Sequence, residues 1–280
     1  MRFYIVVVTL ITVISTTAQA QTREVSLDGV TVYDPQELLE FAMQVSIAQY
    51  GAINVAVLPE IIEVIYQEDG YFLAEVFSEP DGTSFYVDEG AIDSVLIDGA
   101  DSETAALIRK YIQPLLAERP TTLPAFERAI MLSDDIGSIS VTAEVDYPNP
   151  NGAAELRLIA TQENASNGFI TLDHPARRLG KEVALTFGQT FHSALRPGDL
   201  FGIVISGSGD FKGDETVFGS LRYRMPIGGS GAFAEAYFGN VGARRDVDGT
   251  LEETDIAGRT AILALGHPFL RSVDAYGYGL

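Results

Sequence analysis

The 280-residue chain contains no cysteine, so neither a disulfide nor a thiol nucleophile is available to it. This fits a chain that is exported to an oxidising compartment without relying on disulfides for stability. Basic residues are scarce, 18 against 39 acidic residues, and the net charge of -21 argues against binding to nucleic acid. No segment after the first 20 residues is long and apolar enough for a transmembrane helix. Any membrane contact must therefore be made by strands.

The sequence also lacks the patterns that enzymes and metal sites require. His174, His192 and His267 lie far apart without ligand spacing, and there is no G-x-S-x-G elbow or P-loop. Asp134-Asp135 could form an acid/base or metal pair, but adjacent carboxylates at a helix end are more often solvated. The glycines of "SGSGDFKG" miss the dinucleotide-binding spacing. We therefore predict no catalysis, no cofactor and no metal.

The N-terminus has the pattern of a secretory signal peptide covering residues 1–20. Arg2 is the only charge before the apolar run "FYIVVVTLITVIS", and Ala18 and Ala20 form a small-x-small cleavage site. The alternative is an uncleaved membrane anchor, but the run is shorter than the ~20 apolar residues that span a bilayer. We expect cleavage after Ala20.

Residues 21–90 predict one small α+β domain. "REVSLDGVTVY" alternates as a strand, and Asp34 and Pro35 cap a helix over "QELLEFAMQVSIAQYG". Pro59 opens a second helix that stops at Gly70, and the turn "EPDG" separates two strands of a hairpin. The predicted order is β-α-α-β-β.

Residues 91–163 repeat that order. "AIDSVLIDGA" is a strand, two helices follow, and "SISVTAEVDYP" and "AAELRLIATQ" form a hairpin around "NPNG". Gly29 and Gly99 end the first strand of each copy in the same local pattern. A repeat of roughly seventy residues indicates tandem α/β domains, not a solenoid.

Two motifs make the comparison specific: "Y-x-x-x-G-Y-x-L-A-x-V" from Tyr66 to Val76 and "V-D-E-G-x-I" from Val87 to Ile92. The tandem units resemble the polypeptide-transport-associated (POTRA) domains of two-partner secretion transporters, the haemolysin-activator and filamentous-haemagglutinin-transporter family. The resemblance implies a Gram-negative outer-membrane protein with two periplasmic POTRA domains before a β-barrel in outer-membrane lipid. Its implied partner is an unfolded secreted exoprotein, a large adhesin or haemolysin-like protein with an N-terminal secretion domain.

Residues 166–280 fit the N-terminal part of an antiparallel outer-membrane β-barrel. Apolar and polar residues alternate, and we predict about seven strands, whereas bacterial barrels carry eight or more. The links "RPG", "IGGSG" and "HPFLR" predict short periplasmic turns; "HPARRLGK", "GDFKGDE" and "NVGARRDVDGTLEETDIAG" predict longer external loops. The candidate pore-lining residues are Thr186, His192, Arg222, Arg224 and Glu235.

The hairpin strand Tyr71 to Phe77 is the candidate edge for capturing the partner by strand addition. The candidate contact residues are Tyr71, Phe72, Ala74 and Val76. The alternative is that these side chains fill the core.

The resemblance is incomplete, because a family member has roughly sixteen strands, within the range of large barrels. The Arg-Gly motif of a later loop and the terminal aromatic residue are also missing, so we expect a truncated or fragmentary chain. Two other functions stay open: an assembly factor for outer-membrane proteins, and a soluble periplasmic binding module.

Overall fold

The computed structural model has an α+β fold, and it describes residues 25–147, 154–173, 183–209, 215–246, 253–272 and 276–279. The predicted signal peptide lies outside the described residues. So do the predicted turn "NPNG", the link "HPARRLGK" and most of "GDFKGDE". The chain divides into two compact units: one has the described residues up to Ile62 with Val76–Asp88, and the other has Glu63–Glu75 with the residues from Glu89 onward.

Residues 25–88 contain β1 (Ser26–Asp28), α1 (Pro35–Tyr50), a 3-10 turn (Val55–Val57), α2 (Leu58–Glu68), β2 (Glu75–Ser78) and β3 (Ser84–Asp88). Helix α1 begins where predicted, because the Asp34 carboxylate accepts hydrogen bonds from the N–H groups of Gln36 and Glu37. It ends at Gly51, whose φ of 79° is left-handed. The described strands form a sheet in the order β1-β3-β2, with β1 parallel to β3.

The second strand of this region is shorter than the sequence predicted. Residues 71–74 form a turn, in which Ala74 N–H donates to the Tyr71 carbonyl at 3.2 Å. Leu73 and Ala74 are adjacent and both buried, which a strand with alternating faces does not allow. Phe72 packs against Phe126 with ring centroids 5.1 Å apart. Of the four predicted edge residues, Tyr71, Phe72 and Ala74 therefore precede the strand, and Val76 alone lies in β2.

We name the next region the second α/β module: β4 (Ile92–Asp98), α3 (Ser102–Leu116), α4 (Leu123–Asp134), β5 (Ile139–Asp146) and β6 (Ala154–Gln162). Its described strands lie in the order β4-β6-β5, with β4 parallel to β6 and β5 antiparallel to it. Ile108, Ile112, Leu156 and Leu158 are almost fully buried between the helices and this sheet. Each such side chain contributes about 1.5–3 kcal/mol to stability.

The glycines that suggested the internal repeat occupy equivalent positions. Gly29 has φ +83° after β1, and Gly99 has φ +80° after β4. A Cβ on Gly29 would collide with the Val87 carbonyl oxygen, and one on Gly99 with the Ala160 carbonyl oxygen. Each glycine therefore lets the chain turn away after the first strand while its backbone stays in close contact with the last strand of the same copy.

The remaining elements form one antiparallel meander, which we call the meander sheet. In the described residues its seven strands lie in sequence order, each hydrogen-bonded to the next, with the first and the last at the two edges. The strands are β7 (Ser166–Asp173), β8 (Val183–His192), β9 (Leu200–Gly209), β10 (Glu215–Ile227), β11 (Ala232–Asp246), β12 (Glu253–Arg271) and β13 (Tyr276–Gly279). The number agrees with the sequence prediction.

Two predicted links are wrong. The charged segment 240–258 is mostly strand, because β11 and β12 stay paired from Asn240–Arg259 out to Asp246–Glu253. Its charges do not prevent pairing, since Arg244 and Asp255 form a cross-strand ion pair at 3.4 Å. The segment "HPFLR" lies inside β12, which continues past Pro268 with a shift of register before Leu270.

Among the described residues no single helix is long and apolar enough to cross a membrane. The segments Pro35–Tyr50 and Val55–Glu68 meet the length and composition criteria only together, with a bend of 115° between them.

Candidate functional site on the polar face of the meander sheet

The register of the meander sheet places all five candidate pore-lining residues on one face. Directly paired residues point to the same side of a sheet. His192 pairs with Leu200, Leu200 with Arg224, and Arg224 with Glu235. Thr186 lies six residues before His192 on the same strand and pairs with Ser206, and Arg222 lies two residues before Arg224, so both point to the same side as their neighbours. We call this side the polar face.

The opposite face carries large apolar side chains that are open to the surroundings. Leu263 is 87% exposed, and Ile170 and Leu172 are each 72% exposed. The polar face is not uniformly polar, since Phe169, Ile256 and Ile262 interrupt it. Even so, the sheet is amphipathic, as predicted from the alternation. The exposed members of the apolar face are Ile170, Leu172, Val183, Leu185, Phe187, Phe191, Ile205, Val217, Leu221, Phe238, Leu263 and Leu265.

Three of the candidate residues form one ion cluster. Arg222 Nη2 donates to Glu235 Oε2 at 2.8 Å, and Arg224 Nε donates to the same oxygen at 2.7 Å. The Arg224 guanidinium also lies over the Phe233 ring, 4.1 Å from its centroid. We call Arg222, Arg224 and Glu235 the arginine cluster.

The other two candidates lie apart from the cluster. Thr186 and Ser206 share a hydrogen bond between their hydroxyl oxygens at 2.7 Å. His192 lies at the end of β8 beside Gly137 of the second α/β module, where a Cβ on Gly137 would collide with His192 Nδ1.

The predicted capture edge is partly preserved. Strand β2 is an outer strand of the β1-β3-β2 sheet, as strand addition requires. Val76 lies in it but is buried, whereas Phe77 is 46% exposed. The structure does not bring Tyr71, Phe72 and Ala74 onto that strand.

Sequence reasoning missed Asp199, which organises the turn between β8 and β9. Its carboxylate is fully buried and accepts the N–H groups of Ala194, Leu195 and Arg196 at 2.7, 3.1 and 3.1 Å. The Tyr223 hydroxyl donates to the same carboxylate at 2.9 Å. The available signal was an aspartate directly after the turn sequence "RPG", since aspartate side chains bond nearby backbone in turns.

This turn and two other ends of the meander sheet contact the second α/β module. Ser193 and Ser138 are joined through their hydroxyl oxygens at 2.9 Å, and Arg128 Nη2 donates to the Ser230 carbonyl at 2.8 Å. Arg271 forms an ion pair with Asp135, with Nε to Oδ2 at 3.0 Å. We call these contacts the junction.

Asp134 and Asp135 lie exposed at the end of helix α4, as the sequence predicted, and each of them also contacts another element of the fold. Both side chains are exposed enough to meet water, yet Asp134 accepts the Val141 N–H at 2.9 Å and Asp135 binds Arg271. The two carboxylates tie the end of α4 to β5 and to β12.

A cleft of about 170 Å³ lies at the junction and reaches the arginine cluster. Burial, and then the negative charge of Asp135, raise the pKa of Tyr111 to about 12, so its hydroxyl stays protonated at neutral pH. The cleft is lined by Tyr111, Leu132, Asp135, Gly198, Arg224, Pro226, Gly231, Ala232, Phe233 and Pro268.

Solved structures show this arrangement of elements in other proteins. CdiB from Escherichia coli superposes with a TM-score of 0.68 at 18% identity, over 92% of this chain and 50% of that one. This chain has the fold of CdiB. CdiB from Acinetobacter baumannii gives a TM-score of 0.63 at 14% identity, over 89% of this chain and 50% of that one. The chain thus spans about half the length of the CdiB structures that it matches. No protein-family model and no curated protein matches it.

Proposed function

We propose that the chain acts in two-partner secretion, as a transporter in the Gram-negative outer membrane. Its two β-α-α-β-β repeats are POTRA domains in the periplasm, and its meander sheet is part of a transmembrane β-barrel. The observation that carries the proposal is their combination in one chain: two such repeats lead directly into a long amphipathic antiparallel sheet, with the fold of CdiB. The motifs around Tyr66–Val76 and Val87–Ile92 support the same assignment.

The membrane assignment rests on the apolar face. In a soluble protein the side chains of Leu263, Leu265 and Ile170 would be exposed to water. Such exposure costs about 25 cal/mol of free energy for each Å² of apolar surface. In a bilayer the same side chains meet hydrocarbon, while the paired strands satisfy one another's backbone groups. This distribution disfavours the soluble binding module.

Capture of the partner is assigned to the outer strand β2. An extended polypeptide can pair with an open strand through backbone hydrogen bonds, which accept many sequences. The captured chain then follows the polar face through the barrel. The proposed partner is a large adhesin or haemolysin-like exoprotein with an N-terminal secretion domain, and the transporter itself catalyses no reaction.

The proposed function is tested by deleting the gene in its own host and restoring it on a plasmid. Mass spectrometry of the medium and of the outer membrane measures which proteins depend on it. We expect loss of one large exoprotein from the medium, with other outer-membrane proteins unchanged. A general loss of outer-membrane proteins would instead identify an assembly factor, and extraction of the chain into buffer without detergent would identify a soluble module.

A further inference from the structure

The arginine cluster carries an excess positive charge in a strongly acidic protein. Arg222 and Arg224 both bind Oε2 of Glu235, so two positive groups share one carboxylate oxygen. The cluster has a formal charge of +1, whereas the whole chain has -21. A site that attracts anions on such a protein must depend on local geometry, because the overall field repels them.

The two guanidinium groups keep hydrogen-bonding capacity beyond Glu235. A guanidinium has five N–H donors, and the contacts with Glu235 use Nη2 of Arg222 and Nε of Arg224. The side chains of Arg222 and Arg224 are 42% and 35% exposed, whereas that of Glu235 is 20% exposed. The positive groups, more than the carboxylate, therefore face the open side of the sheet.

The surroundings hold the arginines in place before any ligand arrives. Arg224 is stacked on Phe233, a side chain that is only 9% exposed, and Glu235 fixes the other edge of its guanidinium. A planar donor that is already oriented loses less conformational entropy on binding than a free arginine. Its geometry matches a carboxylate, which can accept two parallel N–H bonds.

We propose that Arg222 and Arg224, held by Glu235, bind the carboxylates of aspartate and glutamate side chains in the transported polypeptide. Arg224 also lines the junction cleft beside Tyr111, so the site lies at the end of the polar face next to the second α/β module. There it selects acidic segments of a passing chain. This proposal rests on the proposed function, because it requires a polypeptide to move along the polar face.

The test measures binding of acetylated, amidated hexaglutamate to the full chain purified in detergent, by isothermal titration calorimetry, with hexaglutamine as the neutral probe. We expect hexaglutamate alone to bind, and its affinity to fall as the NaCl concentration rises, since exposed charges are screened.

The variant R222Q/R224Q should bind hexaglutamate at least tenfold more weakly. Glu235→Gln should bind it several-fold more tightly, because the glutamine carbonyl can still accept from the arginines while the competing negative charge is removed. The matched control is Arg244→Gln, an arginine of the opposite face that pairs with Asp255.

Equal binding of hexaglutamate by the wild type and R222Q/R224Q would overturn the proposal, as would an equal loss in Arg244→Gln or weaker binding by Glu235→Gln. Circular dichroism of each variant confirms that the strands are intact, and R222K/R224K, which keeps both charges, should retain part of the affinity. The outcome is independent of secretion. If the exoprotein is exported but hexaglutamate does not bind, the carboxylate site is refuted and the transport function stands. If hexaglutamate binds but no exoprotein depends on the gene, the transport function is refuted and the carboxylate site stands.

Discussion

At the scale of single residues, Asp199 shows how hydrogen bonds accommodate a buried carboxyl group. Four donors converge on its carboxylate: three backbone N–H groups and the Tyr223 hydroxyl. A buried polar group that accepts several hydrogen bonds recovers much of the solvation that it loses on burial. The sequence pattern predicted a turn at "RPG", but burial of the Asp199 side chain depends on its contact with Tyr223 of β10, which is distant in sequence, and no local pattern reveals it.

Replacing Asp199 by alanine should loosen the turn between β8 and β9. Each unsatisfied buried donor costs about 1–3 kcal/mol, so the amides of Ala194, Leu195 and Arg196 should exchange with deuterium at least about tenfold faster. Hydrogen exchange followed by mass spectrometry on the full chain measures this. Asp173→Ala, at the exposed end of β7, is the control and should leave that segment unchanged. Unaltered exchange in Asp199→Ala would show that the carboxylate does not organise the turn.

Tyr111 gives a pH-dependent prediction. Its pKa is raised to about 12 by burial and by Asp135, so the folded protein favours the neutral phenol. The associated stabilisation is complete below pH ~10, the ordinary tyrosine pKa, and disappears as the pH rises toward the folded value. Between pH 9 and 12 the wild type should lose about 2 kcal/mol more unfolding free energy than Tyr111→Phe. Chemical denaturation at each pH tests this, and parallel losses in both proteins would contradict it.

At the scale of elements, the sequence predicted most helices and strands because their signals are local. Asp34 caps α1, and the glycines of "IGGSG" allow the turn between β10 and β11. The errors arose where tertiary contacts override local pattern. The stretch from Phe72 to Phe77 has the alternation of a strand, but Leu73 and Ala74 are both buried, and Leu73 packs in the core of the second α/β module. Segment 240–258 contains enough charge and glycine to suggest a loop, yet residues 240–246 pair with residues 253–259 of the facing strand.

The corrected bounds of β2 change the expected capture site. Glu79 N–H donates to the Ser84 carbonyl within the hairpin, so alternation turns the N–H of Ser78 to the outer side of β2. Ser78→Pro should remove one donor available to an added strand and weaken capture of the unfolded exoprotein several-fold in a pull-down. Ser78→Ala keeps the N–H and should bind normally. Equal capture by the proline variant, with unchanged circular dichroism, would place the binding site elsewhere.

At the scale of the whole molecule, the junction fixes the meander sheet against the second α/β module through three separate strand ends. A chain without cysteine allows a direct test of this attachment. The hydroxyl oxygens of Ser138 and Ser193 lie 2.9 Å apart, so cysteines at both positions should form a disulfide. Thiol titration should find no free thiol in the oxidised double variant and one in each single variant. Two free thiols in the double variant would show that the junction is open.

The sequence predicted more of the polar face than of the junction. Alternation alone placed Arg222, Arg224 and Glu235 on one side, because strand periodicity fixes direction without knowledge of neighbours. It could not show that both arginines bind the same oxygen, which depends on the register between β10 and β11. The junction joins residues more than a hundred positions apart, such as Arg128 with Ser230 and Asp135 with Arg271, and no sequence signal connects them.

The parallel pairing of β4 with β6 sets the direction in which the polypeptide traverses this module. Ile92 lies opposite Ala154 and Asp98 opposite Ile159, so the first and last strands run the same way. The chain enters at one rim of the sheet and departs from the other, advancing by about 20 Å for a strand of this length. An antiparallel pairing would return it to its starting rim. A gene segment that encodes such a module can therefore be duplicated in tandem, each copy lengthening the protein without reversing its course.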